Sequence, residues 1–137
     1  MDNLDRRTAL AFGFVVAAAA VVKPAAAQTM DVGKDTTVAP GIVQRVYAEG
    51  PAIIPGFKTV SMRDIIMQPG SKTMGPPMMN AMVCHITQGE LKIVQNGKEF
   101  VAKKDHVWTC AKGTTTEGAT NAGTTVAIMR ITDLLET

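Results

Sequence analysis

The sequence predicts an all-β sandwich or barrel, on three observations. Short runs alternate apolar and polar residues, the period of a strand with one buried face. Clusters of Gly, Pro and Asn separate these runs at short intervals, as in antiparallel all-β domains. After residue 28 no segment carries the apolar period of an amphipathic helix.

Residues 1–27 stand apart from this pattern. They begin with a charged stretch containing Arg6 and Arg7, continue as an apolar run from Ala9 to Val22, and end in Lys23-Pro24-Ala25-Ala26-Ala27. This is the three-part layout of a cleavable export signal, with Ala25 and Ala27 as the small residues before a cut between Ala27 and Gln28. The run falls short of the ~20 apolar residues that a bilayer crossing needs. Asp5–Leu10 is similar to a twin-arginine signal in its paired arginines and Leu10, and departs from it at Asp5 and Ala9. A general secretory signal with two arginines in its positive end is the alternative. Either route predicts a periplasmic or secreted protein with no stable membrane insertion after cleavage.

The mature chain, Gln28 to Thr137, is long enough for one core and too short for two domains. The net charge of +2 falls to +1 when the leader's three bases and two acids are removed. Beyond the leader the longest basic run is Lys103-Lys104, the length of a turn. Neither nucleic acid nor an anionic membrane has an electrostatic footprint here.

Within the mature chain, residues 28–41 are polar, contain Gly33, Pro40 and Gly41, and read as a flexible N-terminal arm. Ile42–Ala48 alternates as a half-buried strand, and a turn at Glu49-Gly50-Pro51 follows. Pro55-Gly56 precedes a second apolar segment, Phe57–Met67, which Gln68-Pro69-Gly70 ends. Leu91–Val94 and Glu99–Ala102 flank Gln95-Asn96-Gly97, and Asn-Gly between alternating runs predicts a tight hairpin because both residues tolerate positive φ. Val107–Cys110 and Thr125–Ile131 are further strands, with Asn121-Ala122-Gly123 turning between them. The barrel domain is expected over 42–132, and 133–137 as a C-terminal tail, frayed or a single turn.

The stretch from Gly70 to Gly89 carries a specific spacing. Five residues follow Gly70, then Pro76, one residue, Met78, three residues, Met82, six residues and Gly89. This frame resembles the first motif of the cupin superfamily. Gly97, Asp105, Gly113, Asn121 and Gly123 match the second motif more loosely, and the likeness covers residues 57–132. It implies a double-stranded β-helix, the jelly-roll barrel, in a protein that commonly forms homodimers. In most cupins Pro76, Met78 and Met82 would be His, His and Glu, and Glu117 falls where the last metal histidine would stand.

The family's metal chemistry does not suit these residues. Pro76 offers no side-chain donor, and Met78 and Met82 offer only thioether sulfur, a poor ligand for Mn, Fe or Zn. Alternation after Met82 turns Met82, Cys84 and Ile86 inward and Val83, His85 and Thr87 outward. His106, beside Asp105 at a strand start, reads as a surface residue. No metal or other cofactor is expected. The pocket residues are expected to be Pro76, Met78, Met82, Cys84, Trp108 and Glu117, with Trp108 either a stacking surface or core. Met74, Met78, Met79, Met82 and Cys84 form a soft-ligand cluster that suits copper(I) as an alternative. Met62, Met67 and Met129 on other strands favour the plainer account, methionine as core filler.

The barrel also places the strands of Cys84 and Cys110 side by side. A disulfide, two buried free thiols, or an inter-subunit contact would each fit an exported chain.

Three functions remain open. The first is an exported, metal-free, non-catalytic barrel that binds a small apolar ligand or acts as an interaction module, pairing as a homodimer. The second is a periplasmic copper-binding protein. The third is a metal-independent isomerase or lyase with Glu117 as general base, its pKa raised by apolar surroundings.

Overall fold

The computed structural model describes residues 34–115 and 117–136, Glu117 by its backbone alone. The expected leader, with its cut at Ala27 and Gln28, lies outside the described residues, as do residues 28–33 and Thr137. Ten strands and no helix make up the described chain. They are β1 Lys34–Ala39, β2 Ile42–Pro51, β3 Thr59–Met67, β4 Lys72–Gly75 and β5 Ala81–Gln88. β6 Glu90–Gln95, β7 Lys98–Lys103, β8 Val107–Cys110, β9 Glu117–Thr120 and β10 Ala127–Leu135 follow.

Two antiparallel sheets result, one in the order β1-β2-β3-β10-β5-β8 and one in the order β4-β9-β6-β7. From β3 onward the chain passes back and forth between them, the course of a jelly roll. Turn chemistry makes these crossings short. Asn96 and Gly97 have φ of 52° and 75° and join β6 to β7 with Gln95 opposite Lys98, the two-residue hairpin that Asn-Gly predicts. Gly89, at φ +69° between β5 and β6, has no room for a side chain, since a Cβ there would stand 2.8 Å from the Val126 carbonyl oxygen.

The inward faces follow the alternation. Met82, Cys84 and Ile86 of β5 are buried, and so are Ile65 and Met67 of β3 and Ala127, Met129 and Ile131 of β10. Leu91, Ile93, Ala102 and Ala119 face them from the smaller sheet. Each fully buried Ile, Leu or Met side chain contributes about 1.5–3 kcal/mol.

One end of this core is closed by Asn121, which is fully buried. Its Nδ2 donates to the carbonyls of Met67 and Thr125, at 2.9 Å each, and its Oδ1 accepts from the Gly123 N–H at 3.0 Å. Its backbone N–H donates to Ser71 and its carbonyl accepts from Gly70. A single side chain therefore ties β3, β9 and the turn into β10.

Two boundaries differ from expectation. Lys34–Ala39, expected within a flexible arm, is strand β1, paired with β2 around the Pro40-Gly41 turn with a shift of register between Thr37 and Ala39. All but Ala39 of it is exposed, so it rests on backbone hydrogen bonds and on Arg45 gripping Asp35 at 2.7 and 2.9 Å. A strand with no buried face carries no apolar period to read. At the other end the expected tail begins inside β10, which runs to Leu135. Asp133 is buried on the inward face, where an acidic residue resembles a strand's end until its partner is known.

Candidate functional site

Between the sheets lies a cavity of about 260 Å³. Its walls are apolar where Ile42, Ile65, Ile93, Ala119, Met129 and Ile131 meet. Val38 on β1 and Gly75 on β4 line it and are exposed, so it reaches solvent along the gap between these two sheet edges.

The residues expected to form the pocket divide. Met78, Met82, Cys84 and Trp108 line the cavity. Pro76 does not: it is exposed, one residue past β4, while Thr73 and Gly75 take the inward positions of that strand. Glu117 begins β9 with its backbone opposite Gly75, and its side chain lies outside the described residues. Met78 is held by its own backbone, which donates to Thr114 at 3.0 Å and accepts from Gly113 at 2.8 Å. The β4–β5 loop is thereby clasped to the β8–β9 loop.

The methionine cluster also divides. Met74 and Met79 are 71% and 75% exposed, whereas Met78 and Met82 face the cavity. The sulfurs that join them inside are those of Met129, Cys84 and Cys110. Met82 stands opposite Cys110 in the β5–β8 ladder, and Cys84 lies diagonally from it. Both cysteines are buried free thiols. Diagonal positions lie roughly 7–8 Å apart, beyond the span of about 4.4–6.8 Å that a disulfide accepts. The hydrogen bond to Cys110, together with burial, drives the Cys84 pKa far above the ordinary thiol range. This thiol stays protonated and is a poor nucleophile.

Neither histidine faces the cavity. His85 Nε2 lies 3.5 Å from Asp105 Oδ1 on the outer side of β5. His106 is exposed and stacks on Phe100 at 5.7 Å between centroids, and both rings meet Trp108 edge-on, bracing that wall. Among the described residues no three His, Cys, Asp or Glu side chains converge as metal ligands do. At the first motif's ligand positions the donors are thioethers or none, and with one carboxylate at most, from Glu117, they do not fit the hard ion that cupins usually hold.

Three polar side chains of the cavity escaped the sequence reading: Gln44, Arg63 and Thr73. The signal for Arg63 was parity, because it shares the inward face of β3 with Ile65 and Met67. Arg63 Nε donates to Asp133 Oδ2 at 2.9 Å, Nη2 donates to Asp133 Oδ1 at 3.4 Å, and Nη1 donates to Gln44 Oε1 at 3.0 Å. The outer face of the same sheet has its own buried acid, Asp64. It accepts from Tyr47 at 2.6 Å and from Arg130 at 2.9 and 3.0 Å, with the guanidinium over the Tyr47 ring.

No protein-family model matches the chain, and no curated protein does. Solved structures do. An RmlC-like cupin from Shewanella frigidimarina superposes with a TM-score of 0.59 at 13% identity, over 74% of this chain and 83% of that one. KdgF from Halomonas sp. gives 0.59 at 14%, over 73% and 84%. A predicted oxalate decarboxylase from Thermotoga maritima gives 0.60 at 16%, over 78% and 95%. At such identities the likeness carries architecture and not chemistry. The chain has the cupin fold, a jelly-roll barrel with a largely apolar interior.

Proposed function

We propose that this is an exported, non-catalytic cupin-fold protein whose barrel binds a small, largely apolar molecule without a resident metal. The observation that supports this reading is the cavity itself. It occupies the barrel interior, and most of its lining is thioether, thiol and aliphatic, with Met78 and Met82 at two of the positions where a hard ion would need ligands. A dry apolar cavity of about 150 Å³ accepts benzene, so about 260 Å³ suits a body of roughly ten non-hydrogen atoms. At about 0.5 kcal/mol per atom that gives a Kd on the order of 0.2 mM for an unselected compound. The natural ligand binds more tightly by matching the polar groups.

The test is native mass spectrometry of the protein taken from its own periplasm, with thermal-shift screening of compounds of this size. A co-purifying small molecule, lost in Ala119→Leu, supports the reading. An empty protein that no compound stabilises refutes it. Pairing as a homodimer belongs to the same proposal and is read by light scattering.

The other readings rest on fewer groups. For copper, the sulfurs of Met78, Met82, Met129, Cys84 and Cys110 make a different set from the linear cluster. An anaerobic copper(I) titration without tight binding removes that reading. For an isomerase or lyase, Glu117→Gln must abolish turnover.

A further inference from the structure

Resting on that binding role, we infer that the cavity's ligand is an uncharged molecule that presents a hydrogen-bond acceptor to Arg63, and that a carboxylate of the same shape is rejected. A guanidinium carries five N–H donors. Two of Arg63's go to Asp133 and one to Gln44, which leaves one N–H on each Nη. Gln44 spends its carbonyl oxygen on Arg63, and its amide N–H2 has no protein partner among the described residues. The groups on this side of the cavity that make no hydrogen bond are therefore donors, while each side-chain acceptor here already holds one. They are also held in place, since Arg63 is fixed from two directions before anything binds.

Charge decides the rest. Arg63 is the one charged side chain among the described residues that line the cavity, and Asp133, 9% exposed, is its ion-pair partner. The pair is neutral as a unit. An anion entering an apolar cavity loses its hydration and needs a net positive charge in return. Here it would meet Asp133 behind the guanidinium. A ketone, ester or amide carbonyl loses little hydration and gains the two idle N–H groups.

The experiment is calorimetry or thermal shift at pH 7 with three near-isosteric probes: cumene, acetophenone and benzoate. Acetophenone is expected to bind about tenfold more tightly than cumene, the worth of one well-placed hydrogen bond, and benzoate more weakly than acetophenone. Asp133→Asn uncovers the guanidinium charge, and the order of benzoate and acetophenone then reverses. Arg63→Met alone strands a buried aspartate, so the double variant Arg63→Met/Asp133→Leu replaces the pair by apolar groups. In it acetophenone and cumene bind equally. Benzoate binding more tightly than acetophenone in the unaltered protein overturns the inference, as does an acetophenone preference that survives the double variant. Equal binding of all three, lost in Ala119→Leu, leaves the cavity's binding role standing and removes only the acceptor rule. No binding by any of them removes both.

Discussion

Replacing Asn121 by alanine tests how the barrel is closed. The change deletes two hydrogen bonds donated to Met67 and Thr125 and one accepted from Gly123, at a side chain with no solvent contact. Each lost bond removes about 1 kcal/mol net, and each buried carbonyl or N–H left unsatisfied adds to that. The sum expected is about 3–5 kcal/mol. For a domain of this size each kcal/mol lowers Tm by about 4–8 °C, so a fall of at least about 12 °C should appear. The assay is urea and thermal unfolding followed by circular dichroism, with Asn121→Asp as a companion. The carboxylate keeps the shape but turns an acceptor toward two carbonyls, and it should cost as much as alanine or more. A loss below about 1 kcal/mol in both variants would refute the account, because water or a repacked turn must then satisfy the same groups.

Further outcomes follow from other positions. Gly89→Ala combines a φ of +69° with a Cβ 2.8 Å from a carbonyl oxygen, and should cost about 2 kcal/mol or more in the same unfolding assay. Ala119→Leu should leave Tm unchanged or raised, because the side chain grows into existing space, while binding of every cavity probe disappears; a large loss of Tm would show that the space is not there. The Cys84 thiol titrates far above the ordinary value of 9.0 in the folded protein, so only the unfolded chain releases its proton near pH 9. The contribution of Cys84 to stability is therefore constant below about pH 8 and falls above pH 9 by up to about 1.4 kcal/mol per pH unit. Cys84→Ala should remove that slope, and an unchanged pH profile would exclude Cys84 as its source.

Much of the architecture was legible because strong local rules agree with the global fold. Asn96-Gly97 specifies its hairpin by backbone sterics alone, and the alternation of β5 assigns its faces before any partner strand is known. The spacing from Gly70 to Gly89 is harder to read at Pro76. Motif position suggests an inward residue, but the parity of β4 gives the inward places to Thr73 and Gly75. Arg63 was hidden for a related reason. In Phe57–Met67 the apolar content draws the eye, and a lone arginine looks like a surface interruption when its partner, Asp133, is 70 residues away. Such long-range ion pairs leave no periodic trace. β1 was invisible because its hydrogen bonds are made by backbone, which every sequence has.

The Asn121 network and the β4–β5 loop lie at opposite ends of strand β4. Asn121 fastens the closed end, while Pro76–Asn80 and the segment after Cys110 meet above the cavity through two backbone hydrogen bonds to Met78. The domain therefore suits loop grafting. Segments of altered length or composition exchanged into Pro76–Asn80 would change what the barrel admits while the fastening at Asn121 keeps it folded. That separation would let the mouth of a small jelly roll be rebuilt while the strands that hold its core stay as they are.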